Sequence, residues 1–376
     1  MKEHTLICVA GARPNFMKVA PLLRVLRCDR DFRSVLVHTG QHYDDELSGN
    51  FFRDLNLSAP DHFLCVGSGS HAQQTAEVMK RFEPVVIAER ADGVVVVGDV
   101  NSTMAAAVVA AKLRVPVFHV EAGLRSFDRS MPEEINRLVT DAISDVLLVT
   151  EDSGRSNLLN EGIPEHRIHV VGNLMIDSLQ QSLGAAQRSD VLRRLRIASQ
   201  TFGLVTLHRP SNVDHAEPLD EILGALMEIS EELPLVFPVH PRTRAHLNGT
   251  RVPGKITLLD PLGYLDFLCL MSNSSLVFTD SGGVQEETTA LGIPCLTLRD
   301  NTERPVTIEQ GTNMLAGTRR STILAAWKEM RARPKAGRIP PLWDGAAASR
   351  CLAVLRNYFA VGGSSSDQPP LCLSRI

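Results

Sequence analysis

Short apolar strands alternating with amphipathic helices, in a series that runs twice along one chain, predict an α/β protein of two Rossmann-like doubly wound domains. Three observations carry this prediction. The strands are uninterrupted β-branched runs such as Val94-Val95-Val96-Val97, as expected of a parallel sheet covered by helices on both faces. Segments of helical periodicity lie between them. The alternation then restarts near residue 200.

Taken in order, Leu6-Ile7-Cys8-Val9 is a strand. Phe16 to Leu26 follows as a helix, with Val19, Leu22, Leu23 and Leu26 on one face. Val35-Leu36-Val37 and Val94 to Val97 are the next two strands, and an alanine-rich helix runs from Ser102 to Leu113. Val117 to Val120 and Val146 to Val149 complete the first series. Arg188 to Arg196 reads as a charged helix near the joint, which falls between 172 and 200. The second series comprises Leu204–Leu207, Leu235–Phe237, Ile256–Leu258, Leu276–Phe278 and Cys295–Thr297, with helices over Pro218–Glu231 and Val284–Leu291. Residues 361–376 are rich in Gly, Ser and Pro and read as a flexible tail.

A chain of 376 residues suits two domains, and 44% apolar with 22% charged residues excludes a largely disordered protein. With 39 basic and 43 acidic residues the net charge is −4, which argues against a general nucleic-acid binder. An anionic ligand must therefore be held by local basic groups. The seven cysteines are scattered and form no C-x-x-C, so they read as small buried hydrophobes in a reducing compartment. The aliphatic stretch Met104–Ala111 stops at Lys112, too short to span a bilayer, and Arg13-Pro14 cuts the N-terminal apolar run short. These features predict a cytoplasmic protein without a membrane partner.

In open α/β sheets, ligands bind beyond the carboxyl ends of the strands, so the informative residues follow each apolar run. These are Arg13 with Lys18, Asp99, Glu121 to Arg125, His208-Arg209, His240-Pro241-Arg242, Asp280-Ser281-Gly282-Gly283 and Arg299-Asp300. Charge or histidine at so many strand ends predicts a cleft lined from both domains. Gly282 and Gly283 at a helix start permit close backbone approach, with free amides for an anion and the Ser281 hydroxyl beside them. Alternatively, they form an ordinary cap and tight turn. Arg13 and Lys18 are either solvated surface cations or a pair over a diphosphate. Asp99, Glu121, and Glu133 or Glu134 form a carboxylate set in which one acid is expected to have a raised pKa. In the plainer reading, Asp99 caps a helix and Glu133 and Glu134 favour a helix dipole. His208 is either structural or a donor to a leaving phosphate. Gly67 to Ala72 fits the loose pattern G-x-G-x-x-A but lies outside the first βα unit, and no G-x-x-x-x-G-K-[ST] exists. No metal-ligand spacing occurs.

Read together, the motifs resemble the non-hydrolysing UDP-N-acetylglucosamine 2-epimerases. They are Gly11-Ala12-Arg13-Pro14 with Lys18, Thr39-Gly40-Gln41-His42, Gly98-Asp99, His119 to Arg125 and Pro132-Glu133-Glu134-Ile135-Asn136-Arg137. Thr206-Leu207-His208-Arg209, Asp280 to Glu287 and Arg299 to Pro305 follow in the family's order. The resemblance implies two domains facing a cleft, like the two-domain (GT-B type) glycosyltransferases. The domains would span 1–172 and 173–346, and within 347–376 a C-terminal helix would return to the first domain ahead of the flexible tail. It implies Asp99, Glu121 and Glu133 as acid/base groups and His208 near the phosphate. Ser281, Gly282, Gly283, Glu287 and Arg304 would hold the UDP part with Phe267 near uracil, and Arg13 and Lys18 would line the cleft. Gln41 and His42 match part of a regulatory site for a second UDP-sugar. The implied partners are a UDP-sugar substrate and a second copy of the chain in a homodimer. The first loop departs from the Gly-Thr-Arg-Pro-Glu of many bacterial relatives, reading Gly11-Ala12-Arg13-Pro14-Asn15.

The chemistry this implies needs no metal or cofactor. The C2 proton of N-acetylglucosamine is not adjacent to a carbonyl, so direct removal is slow. Expelling UDP from C1 while a base takes that proton gives a 2-acetamidoglucal, and re-addition with a proton on the other face inverts C2. Relatives acting on other UDP-2-acetamido sugars share the pattern. A UDP-sugar glycosyltransferase and a nucleotide-sugar binding protein without turnover are the rival readings.

Overall fold

The computed structural model describes residues 3–40, 54–55, 57–247 and 254–361. Seven parallel strands form the first sheet: β1 (His4–Ala10), β2 (Phe32–His38), β3 (His62–Phe63), β4 (Gly93–Val97), β5 (Val117–Ala122), β6 (Val146–Val149) and β7 (Ile168–Val170). Their spatial order is β3-β2-β1-β4-β5-β6-β7. Six parallel strands form the second: β8 (Gly203–Thr206), β9 (Leu235–Pro238), β10 (Ile256–Leu259), β11 (Leu276–Thr279), β12 (Cys295–Thr297) and β13 (Asn313–Leu315). They lie in the order β10-β9-β8-β11-β12-β13. In each sheet the order reverses between its first and fourth strands, which opens a crevice at the carboxyl ends of β1 and β4 and of β8 and β11.

The central strands are fully apolar because helices cover both faces. Val94 to Val97 are all 0% exposed. The helix Arg13–Arg27 buries Val19, Leu22, Leu23 and Leu26 against one face of the first sheet, while Phe82, Val86, Ala106 and Ala110 pack against the other. The helix Leu174–Ala186 straddles both halves. Its Leu174 and Met175 join the core that contains Leu23, and its Ile176 and Leu179 join the core that contains Leu268 and Val277. The final helix, Ala347–Ala360, places Ala347, Cys351 and Leu355 in the first core, and the Asp177 carboxylate accepts the backbone amides of Ala347 and Ala348.

The structure differs from the sequence reading in several places. The charged segment at 188–196 is helical only over Val191–Leu195. Three short strands, β3, β7 and β13, extend the sheets beyond the strands expected. β5 runs two residues further than Val120, with a bulge that puts Glu121 at φ 69°. Cys8, Cys269, Cys295 and Cys351 are buried, and desolvation pushes the thiols of Cys8 and Cys295 up to about 12, whereas Cys28 and Cys65 are exposed. Among the described residues no helix is long and apolar enough to cross a membrane, and no cluster of His, Cys, Asp or Glu is placed to hold a metal ion.

Candidate active site

A cleft of about 1190 Å³ lies between the carboxyl ends of the two sheets. Its walls include Lys18, Asp99 and Glu133 from the first half. The second half contributes His208, Phe267, Ser281, Gly282, Gly283, Glu287 and Arg304. Glu121 stands behind Lys18 and Arg304 and is 6% exposed. Gln41 and His42 lie outside the described residues, as does the side chain of Arg13.

Three acids of the first half, Asp99, Glu121 and Glu134, are tied to cations. Asp99 does not cap the following helix, whose N-cap is Val100; its Oδ2 accepts Arg137 Nε at 3.0 Å and Nη2 at 2.7 Å. Burial alone would raise the Asp99 carboxyl, but Arg137, Lys18 and Arg304 outweigh it and hold the carboxyl below its usual range. Glu121 is held on both oxygens, Oε2 by Lys18 and Oε1 by Arg304 Nη2 at 2.8 Å. Glu133 and Glu134 diverge. Glu134 is buried, accepts from the amides of Ser126 and Phe127 and pairs with Arg137, so it fixes the 126–127 loop. Glu133 makes no hydrogen bond or ion pair with any described residue and lines the cleft. Asn136, which the sequence reading left without a role, donates to the Asp99 carbonyl and to Asn101. Asn15 accepts from the amides of Gly11 and Ala12 and donates to Val97 O at 2.8 Å, which joins the first loop to β4.

In the second half, the helix Gly282–Leu291 opens at the cleft, and the Ser281 hydroxyl makes no cap hydrogen bond. Gly282 is needed for a reason the sequence did not show. A Cβ there would stand 2.4 Å from Arg304 Nη1 and 2.9 Å from Glu303 Oε1, so the space belongs to the Arg304 guanidinium. Arg304 is only 5% exposed and ion-paired to Glu121, Glu286 and Glu303. Asp280 is fully buried and accepts from the amides of His208 and Arg209, while His208 Nδ1 lies 3.0 Å from its Oδ1. The half-buried His208 thus reaches the cleft with its ring fixed at one nitrogen. Glu287 accepts the Tyr264 hydroxyl at 2.8 Å, and burial pushes its carboxyl up to about 7 despite that bond.

A strongly raised acid lies outside the expected set. Burial pushes the Glu151 carboxyl up to about 8, only partly opposed by the Ser153 hydroxyl. Of the expected carboxylates, Asp99 moves the other way. Glu286 and Glu303 sit in the matched motifs, and Glu151 follows an apolar run outside them; none had a role assigned. For Glu151 the signal is an acid ending an apolar strand, Leu147-Leu148-Val149-Thr150-Glu151.

A cleft with paired carboxylates on one wall and a helix start and histidine on the other suits an anionic sugar ligand, and the comparisons agree. A family model described as UDP-N-acetylglucosamine 2-epimerase matches residues 24–356. The chain is 41% identical to the UDP-N-acetylglucosamine 2-epimerase of Methanocaldococcus jannaschii, over 92% of this chain and 97% of that protein. The crystal structure of that enzyme in complex with UDP-GlcNAc and UDP superposes with a TM-score of 0.88, over 94% of this chain and 99% of that one. Identity is also 41% to the UDP-2,3-diacetamido-2,3-dideoxy-D-glucuronate 2-epimerase of Pseudomonas aeruginosa, over 85% of this chain and 90% of that protein. A sucrose-phosphate synthase from Thermosynechococcus elongatus, 12% identical, shares the fold alone, with a TM-score of 0.62 over 96% of this chain and all of that one. The motifs, the paired sheets and the cleft therefore have one explanation: the chain belongs to the UDP-N-acetylglucosamine 2-epimerase family.

Proposed function

We propose that this isomerase interconverts UDP-N-acetylglucosamine and UDP-N-acetylmannosamine by eliminating UDP and adding it back. One observation above all supports the reading. Asp99 and Glu133 face Ser281–Gly283 and His208 across one cleft, so proton-handling groups and anion-holding groups meet around a single ligand. A carboxylate takes the C2 proton, its C–H electrons form the C1=C2 bond, and the C1–O bond breaks to release UDP. In the return step the UDP oxygen re-forms the bond to C1, and a proton is delivered to the opposite face of C2. Asp99 suits the base, because Arg137 keeps it ionised at neutral pH. Glu121 and Glu133 are the remaining acid/base groups. The Gly282–Leu291 helix start and Ser281 take the diphosphate, His208 donates as its charge grows, and Phe267 lies against uracil. Arg13 and Lys18 line the cleft, Glu287 contacts the UDP part, and Gln41 with His42 belong to a second UDP-sugar site.

The same reading divides the chain at 172 and 346, with Ala347–Ala360 clasping the first domain, and makes the protein a cytoplasmic homodimer. Acceptance of a UDP-2,3-diacetamido sugar is the second reading, favoured by the equal 41% identity to the Pseudomonas aeruginosa relative. Incubation with each UDP-sugar alone, followed by NMR in heavy water, tests both. Two interconverting UDP-N-acetylhexosamines with deuterium at C2 are expected. No reaction without an acceptor would point to a transferase or binding protein. Free N-acetylmannosamine with UDP would point to a hydrolysing enzyme, and epimerisation without deuterium would overturn the elimination scheme.

A further inference from the structure

Glu286 lies on the Gly282–Leu291 helix beside Glu287, yet its side chain is fully buried. Among the described residues its ion-pair partner is Arg304, whose Nε lies 2.8 Å from Oε1, and neither of its oxygens has a hydrogen bond. Burying a carboxylate on these terms is costly, and a buried ion pair replaced as a whole by apolar residues is often neutral or better for stability. Stability alone therefore does not account for an acid here.

What Glu286 does is fix a guanidinium. Arg304 has three partners in three directions. Glu286 takes Nε, Glu303 takes Nη1, and Glu121 takes Nη2. Gly282 leaves just enough room for Nη1. With Nε in charge contact with Glu286 and Nη1 donating to Glu303, both of the second half, the guanidinium is placed so that Nη2 donates to Glu121 Oε1 in the first. Glu121 itself sits on the β5 bulge at φ 69°, with Lys18 on its other oxygen. Its carboxylate is thus placed by one cation from each half.

We propose that Glu286 is a positioning residue for the epimerisation: by holding Nε of Arg304 it aims Nη2 at Glu121 and so sets where the Glu121 carboxylate stands during proton transfer. The proposal rests on the reading of Glu121 as an acid/base group.

The test compares Glu286→Leu, Glu286→Asp and Glu286→Gln, with Glu121→Gln alongside, by steady-state epimerisation of UDP-N-acetylglucosamine and thermal unfolding. Glu286→Leu removes the counter-charge on Nε and should lower kcat by about 10–100-fold with KM within a few-fold, as expected when a reacting group is displaced by about an ångström. Its thermal midpoint should stay close to wild type, because Arg304 keeps Glu303 and Glu121 as counter-charges. Glu286→Asp keeps the charge but draws it back from Nε by one methylene, so it should show the same loss, and it serves alone where the leucine variant does not fold. Glu286→Gln keeps the shape but removes the charge, and with no hydrogen bond to preserve it should show the same loss as Glu286→Leu. Adding Glu286→Leu to Glu121→Gln should cost little more, because both act through one carboxylate. Wild-type kcat in the Leu and Asp variants, or a raised KM at unchanged kcat, would overturn the positioning role if Glu121→Gln is slow. Full turnover by Glu121→Gln would instead remove the reading on which the proposal rests.

Discussion

Asp99 and Asp280 look alike in sequence. Each stands just beyond an apolar parallel strand at the switch point of its sheet, and each is followed within two residues by a helix. Their surroundings differ. Asp280 is fully buried and accepts from two backbone amides, the His208 ring and the Asn212 amide, so it joins the loop after β8 to β11. Asp99 is held by one guanidinium, and its side chain remains 29% exposed on the cleft wall. An acid surrounded by backbone donors fixes the fold. An acid held by a side-chain cation, with room on its open side, is available for chemistry.

Paired substitutions test this contrast. Asp99→Asn should keep the fold and lower kcat by about 10²–10⁴-fold, the usual contribution of a general base. Asp280→Asn should instead destabilise by roughly 1–3 kcal/mol, because buried amides lose a charged acceptor, and any loss of activity should follow unfolding. Thermal melts beside kcat separate the two. A stable, inactive Asp280→Asn or an unfolded Asp99→Asn would reverse the assignment. His208 depends on both regions, since Asp280 holds its ring at the cleft. His208→Asn should lower kcat by about 10–100-fold with KM within a few-fold, as expected if it favours the departing diphosphate over the bound one. An unchanged kcat would make His208 part of the Asp280 scaffold.

The sequence displays the strands and hides the pairings. Val94–Val97 and Val146–Val149 were legible because a strand buried on both faces has no polar residue to blur it. β3, β7 and β13 were not, because edge strands of two or three residues such as His62-Phe63 carry no period. The strand-end acids were visible for the same reason as the strands. Their cations were not, since Arg137 lies 38 residues from Asp99 and Arg304 lies 183 residues from Glu121. Gly282 shows the limit of local reading. It reads as a site for close ligand approach, and its missing side chain also accommodates a distant arginine.

This makes Gly282 a second way to sharpen the contrast. Gly282→Ala puts a methyl group into the Arg304 guanidinium, which overpacking places at about 1–3 kcal/mol. The anion-holding wall should then disturb the proton-handling wall, with both the affinity for UDP and kcat reduced. Calorimetry with UDP and turnover measure the two. If affinity falls alone, Arg304 does not couple the halves.

Glu151 is a buried first-half acid that no described cation pairs with, and it carries the smallest prediction. It follows β6 as Asp99 follows β4, yet among the described residues its oxygens meet only the Ser153 hydroxyl, and its buried Oε2 has no hydrogen-bond partner there. Glu286 and Glu121 raise it further and Arg304 opposes them, which leaves the carboxyl at about 8. In the unfolded chain the group titrates near the ordinary value, about 4.3. Between these values the folded state binds the extra proton, so the contribution of Glu151 to stability is intact below about 4.3 and is lost progressively as pH rises towards 8. Glu287, at about 7, acts in the same direction, while the buried His38 imidazole, lowered to about 4, acts against both below about 6.5. Glu151→Gln cancels the common terms. It keeps the acceptor for Ser153 and cannot ionise, so its melting temperature should match wild type near pH 5 and exceed it by about 2–5 °C near pH 8. A gap independent of pH would mean that Glu151 is ionised in the fold like Asp99, and the contrast between cation-held and unpaired acids would then fail at its third member.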